Sequence, residues 1–116
     1  MPYHKLDVYR KAYQLALEVH KLSLFFPKIE QYELGSQLRR SSKSVAANIA
    51  EGMGKQESKA DVRHFIRTAI GSADESRVWI EFAKDLGYIT KEQHEAFEDR
   101  FQEVGRMLQG IIKRYE

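Results

Sequence analysis

Three groups of residues in this sequence have the types and spacing that chemistry uses. The first is an acid-x-x-His pair, Asp61-Val62-Arg63-His64. On a helix those two side chains share a face and form half of a dimetal bundle site, which needs a matching pair from another helix. No second pair with that spacing occurs, and Arg63 and Arg67 crowd the one that does. No metal ligand is assigned, and no cofactor is expected. The second group is the serine cluster Ser41, Ser42 and Ser44. A serine nucleophile needs a base within hydrogen-bond reach, and no histidine lies in the same helical segment. Hydroxyls at small core positions are explained by packing, so no catalytic residue is assigned and the chain is not expected to be an enzyme. Gly52-Met53-Gly54-Lys55 has neither the spacing nor the preceding strand of a phosphate loop.

The third group is cationic. Lys59, Arg63 and Arg67 recur every four residues and line one face of a helix, as do Arg39 and Lys43. If the two faces adjoin, they form a basic surface suited to nucleic-acid phosphates. Taken alone, such charges keep a bundle face solvated, with Glu57 and Asp61 partly neutralising them. Net charge is only +2, but from Ser36 to Ser72 seven basic residues face three acidic ones, and from Ala73 to Glu116 seven face ten. His20 and His94 lie on or beside apolar stripes, the ordinary setting of a core or interface histidine, and His4 sits near the terminus. Most of the six Tyr, six Phe and one Trp fall on helical stripes, which makes stacking on bases their lesser use.

Helices must position these residues. Prolines occur only at positions 2 and 27, leaving three long segments free of the strongest helix breaker. A first helix is expected over about 5–25, with Val8, Ala12, Leu15, Val19, Leu22 and Phe26 as its apolar stripe. Tyr9, Tyr13, Ala16 and His20 form a second stripe beside it. A helix apolar over so wide an arc needs two partners, either both within the fold or one in another subunit. Phe26-Pro27 ends it.

The second helix, about 31–51, buries Leu34, Leu38, Ser41 or Ser42, Val45 and Ile49, with Ala46 and Ala50 alongside. Its small middle invites close approach by a neighbour, and Gly52 and Gly54 are expected to supply the cap and turn. A carboxylate at a helix C-terminus opposes the macrodipole. Glu51 should therefore find a partner, either the amides opening the third helix or Arg39 or Arg40 of a neighbouring chain.

The third helix, about 58–86, opens on Ser58-Lys59-Ala60-Asp61, which resembles a capping box with Ser58 placed to accept from the Asp61 amide. It carries Val62, Phe65, Ala69, Ser72 or Ala73, Ser76, Trp79 or Ile80, Ala83 and Leu86. Gly71 inside it is expected to make a close backbone contact, and Gly87 to end it. The fourth, about 90–115, opens on a Thr90 to Gln93 capping box and follows the heptad His94, Phe97, Phe101, Val104, Leu108, Ile111, Tyr115. No strand pattern appears. The expectation is an all-α, up-down-up-down antiparallel four-helix bundle.

With 116 residues the chain is a single domain over 1–116, able to bury about two thirds of its unfolded surface. It has no cysteine, hence no disulfide or thiolate chemistry. There is no apolar run long enough to span a membrane and no secretory leader pattern, which leads to the expectation of a cytoplasmic protein without a membrane partner.

The run from Arg40 to Gly52, with Asn48-Ile49-Ala50-Glu51-Gly52 at its end, Phe65, and the later Gly71-Ser72-Ala73-Asp74-Glu75 carry a family resemblance. The chain resembles the bacterial four-helix-bundle proteins encoded in intervening sequences of 23S ribosomal RNA genes, over nearly its whole length. That family includes the accessory variability determinants of diversity-generating retroelements, for which the resemblance implies ring-shaped pentamers that bind nucleic acid and a reverse transcriptase. It implies no catalytic activity. Arg39, Arg40, Asn48, Glu51, Gly52, Gly71, Ser72 and Glu75 are the motif positions carried over, with bundle and subunit packing as their implied role. The functional expectation is a non-enzymatic, self-assembling RNA-binding or RNA-associated protein, with a homopentamer and possible RNA, DNA or protein partners. The alternative is a scaffold or protein-binding module with no nucleic-acid role.

Overall fold

A computed structural model describes residues 2–116. Four helices follow one another: α1 (Asp7–Ser23), α2 (Leu34–Met53), α3 (Lys59–Asp85) and α4 (Lys91–Arg114). Short 3₁₀ turns at Tyr3–Lys5 and Lys28–Gln31 precede α1 and α2. Cross-helix pairs give the directions. Ser41 meets Ser76 and Ser44 meets Ser72; Arg77 meets Glu98, and Arg63 meets Tyr115; Glu18 meets Arg100, and Lys11 meets Glu103; Ser23 meets Arg39. Each neighbour runs antiparallel to the next, forming an all-α bundle of 45 × 23 × 20 Å.

The caps follow from local sequence. At Ser58 only half of the expected box forms, the hydroxyl accepting from the Asp61 amide at 3.2 Å with no bond returned by the shorter Asp61 side chain, whereas Thr90 and Gln93 satisfy each other's amides as a full capping box. Gly87, at φ 82°, is the one described residue with positive φ. It lets the Tyr88 amide reach the Ala83 carbonyl at 2.8 Å and close α3.

The first two helices differ from expectation at both ends, α1 being two residues shorter at each end than 5–25. Past Pro27, residues 28–31 wind as a 3₁₀ turn, which delays α2 to Leu34. At its other end α2 runs through Gly52 to Met53.

The core is one seam per helix. On α1 it comprises Val8, Ala12, Leu15 and Val19, on α2 Leu38, Val45 and Ile49, and on α4 Phe101, Val104, Leu108, Ile111 and Ile112. On α3 the seam is Val62, Ile66, Ala69, Ala73, Ser76, Ile80 and Ala83. Ile66 takes the interior place that spacing assigns to Phe65, and Leu86 is exposed. Phe65 instead lies against α2, where a Cβ on Gly52 would come within 3.1 Å of its own Cβ. Gly52 is thus a close-packing residue within the helix and does not supply a cap. Gly71 reverses the expectation in the other direction, because it faces outward and an added Cβ would touch nothing within 4 Å.

Between α2 and α3 the small side chains bond in pairs. Ser41 and Ser76 hydroxyls lie 2.8 Å apart, as do those of Ser44 and Ser72. Ser76 also donates to the Ser72 carbonyl at 2.9 Å. These bonds satisfy the hydroxyls that close helix approach removes from water.

Candidate functional site

The two basic faces do not adjoin. The serine pairs set Arg39 and Lys43 beside the C-terminal half of α3, and Gly52 beside Phe65 sets Lys59, Arg63 and Arg67 near the other end. At 1.5 Å per residue they are roughly 10 to 30 Å apart along the bundle.

Two of the five cations are also engaged within the fold. Arg39 donates to the Ser23 hydroxyl at 2.8 Å, to the Gln31 side-chain oxygen at 3.3 Å and to the Gln31 carbonyl. Gln31 in turn donates to the carbonyls of Ser23 and Phe26. The guanidinium fork therefore clamps the α1–α2 connection shut. Gly35 makes room for it, since a Cβ there would lie 2.9 Å from both an Arg39 nitrogen and the Glu30 carbonyl. Arg63 donates to the Tyr115 carbonyl. Tyr115 donates to the Gln56 side-chain oxygen, and Gln56 donates to the Met53 carbonyl. This chain of bonds ties the end of α4 to the α2–α3 loop.

Lys43, Lys59 and Arg67, together with Arg40, make no ion pair among the described residues. Lys59 and Arg67 sit at a distinctly cationic end of the rod. Residues 2–11, 51–70 and 103–116 gather where α1 and α3 begin and α2 and α4 finish. They hold ten Lys and Arg against six Asp and Glu, and the rest of the chain has nine against eleven.

Lys43 belongs to another feature, a shallow groove of about 320 Å³ between α1 and α2. Tyr9, Tyr13, Ala16 and His20, the second stripe of the first helix, line it with Leu17, Ala46 and Ala47. Tyr13 is 50% exposed and Leu17 40%. His20 is held below its usual pKa by burial first, then by Lys43 and Arg39, so its neutral form is favoured. Burial, with neighbouring Tyr3 and Tyr13, raises the Tyr9 phenol. Leu17 is absent from the stripe read in the sequence, although its place four residues beyond Tyr13 is the signal that would have included it. Ala47 has no such signal, because an alanine is equally at home on any helix face.

The remaining motif residues are spread along α2 and α3. Asn48 donates to the Ser44 carbonyl at 2.8 Å and to its hydroxyl at 3.0 Å. Ser72 pairs with Ser44. Glu75 accepts from the Trp79 indole at 3.0 Å. Glu51 is exposed, and neither the amides opening α3 nor any arginine reaches it among the described residues.

No group of three or more His, Asp or Glu among the described residues could hold a metal ion, the Asp61 and His64 pair included. No helix of those residues is long and apolar enough to cross a membrane.

Residues 4–110 match the family described as 23S rRNA-intervening sequence protein. The chain belongs to that family. No curated protein matches it. Among solved structures it is similar to a protein of unknown function from the S23 ribosomal protein family of Bacteroides thetaiotaomicron VPI-5482. The two are 30% identical, with a TM-score of 0.85, over 97% of this chain and 99% of the other. For a chain of the intervening-sequence family, the bundle with its serine-paired α2–α3 seam accounts for Ser72, Asn48 and Gly52. It gives Glu51 and Gly71 no partner across the seam.

Proposed function

We propose that this member of the intervening-sequence family is a non-enzymatic bundle that self-assembles and serves as an RNA-associated accessory protein. By resemblance to the retroelement accessory proteins, the assembly is a homopentamer, and the sequence pattern supports a cytoplasmic setting for it. The observation that carries the RNA reading is the cationic end, with Lys59 and Arg67 free of anionic partners. Assembly in a common orientation would place several such ends side by side, and their fields would add where one chain's does not suffice.

The test is binding of a structured RNA as a function of salt. Affinity should fall steeply with salt, and Lys59→Glu/Arg67→Glu should weaken binding by roughly tenfold or more and flatten the salt slope by about one for each phosphate no longer neutralised. Arg63 is left intact in this test because it holds the end of α4. Absence of binding to RNA or DNA at low salt would end this reading. One observation favours the alternative, a protein-binding scaffold: Arg39 and Arg63 are committed inside the fold. Retention of a protein partner without nucleic acid would support it.

A further inference from the structure

Each chain carries two complementary apolar surfaces on different sides, and we infer that the α1–α2 groove of one copy receives the outward ridge of α3, centred on Val78 and Phe82, from a second copy. The inference rests on the self-assembly reading and names its two faces. The groove offers Tyr9, Tyr13, Leu17 and Ala47, and its charged or titratable rim contains Lys43 and His20 but no carboxylate. On α3, Val78 is 45% exposed and Phe82 51%. Glu75 and Glu81 flank them on the same side of the helix. The groove thus has a cationic rim at Lys43, and the ridge keeps an acidic excess because its one arginine, Arg77, is paired with Asp74 and Glu98, the complementarity that orients an association.

Size agrees as well. A cavity of about 150 Å³ holds one benzene ring, so a groove of about 320 Å³ accommodates a phenyl ring and a neighbouring isopropyl group.

The other exposed apolar cluster is a poorer match. Phe25, Ile29 and Tyr32 on the α1–α2 connection interleave with Lys28, Glu30 and Glu33, which present both signs.

Because groove and ridge are different patches, the contact is heterologous. Each copy donates one face and receives the other, and repetition closes a ring or extends a fibre.

Light scattering on the eluting full-length chain tests this. The wild type should exceed the 13.6 kDa of one chain. Tyr13→Glu, or Leu17→Glu as a second groove variant, should be monomeric, and so should Phe82→Glu, with helical circular dichroism unchanged. Mixed in equal amounts, a groove variant and the ridge variant still share one intact groove and one intact ridge. They should form a two-chain complex and nothing larger. Lys43→Glu should weaken assembly, and adding Glu75→Lys and Glu81→Lys should restore it. If the wild type assembles while either face's variants keep its mass, or if the mixture stays monomeric, the face assignment is overturned. A monomeric wild type would overturn self-assembly itself.

Discussion

Single residues in this bundle do work that their types do not announce. Arg39 reads as a phosphate ligand, yet its fork closes the α1–α2 connection through Ser23 and Gln31. Arg39→Ala should cost about 1.5 to 3 kcal/mol, the range for hydrogen bonds to a charged group. Arg39→Lys should recover only part of that, because an ammonium cannot span two acceptors as a planar fork does; urea unfolding of the two variants measures both. The glycines divide in the same way. Gly35→Ala should destabilise, its Cβ lying 2.9 Å from a backbone carbonyl that cannot yield cheaply. Gly71→Ala should instead raise stability by about 1 kcal/mol, since it removes a flexible residue from a helix interior where space is open. Thermal melts of the pair, compared in sign, check this.

At the scale of elements, a two-armed ion pair ties α1 to α4. The Arg100 fork grips both Glu18 oxygens at 2.7 Å, and that hydrogen bond, outweighing the opposing effect of burial, lowers the Glu18 pKa below its usual 4.5. Across α3 and α4, burial works to raise Glu98. Hydrogen bonds from Arg77 and Gln102, with the charges of Arg77 and His94, outweigh it, and its pKa is lowered too. A carboxyl held below its unfolded value contributes stability above that value and loses it as pH falls through the folded one. His20 obeys the same sign, since its depressed folded pKa means that the unfolded chain binds the proton better below about 6.5. Stability should therefore decline in two stages on acidification, first below about pH 6.5 and again below about pH 4.5. His20→Gln should flatten the first stage, and Glu18→Gln, at a cost of no more than about 1 kcal/mol for so exposed a pair, should reduce the second. Urea midpoints across this range provide the measurement.

Over the whole molecule, the separation of charge matters more than the total. The rod is 45 Å long, several times the Debye length of about 8 Å at physiological ionic strength, so on the proposed reading the cationic end would attract a polyanion without being neutralised by the acidic remainder. A charge reversal at the acidic end, such as Lys91→Glu, should leave RNA affinity within about twofold. Lys59→Glu/Arg67→Glu should lower it by roughly tenfold or more, and filter binding of the two proteins side by side distinguishes local attraction from dependence on net charge.

Periodicity, proline placement and capping residues were enough to determine four helices, their order and most of their buried seams, because a 3.6-residue repeat and a cap are properties of a short stretch of chain. The Thr90 to Gln93 box, the Ser58 cap and the Gly87 turn all lie within a few residues of the groups they serve. What only the tertiary structure decided concerns partners distant in sequence. It showed that Phe65 yields the interior to Ile66, that Gly52 packs against α3 while Gly71 stands open, and that the two arginine faces lie apart. It also showed that Tyr9, Tyr13 and Leu17 meet Ala47 and Lys43 in a groove left uncovered. These outcomes depend on the rotation and axial register of one helix against another, which are set by the summed packing of all four and are written in no single segment.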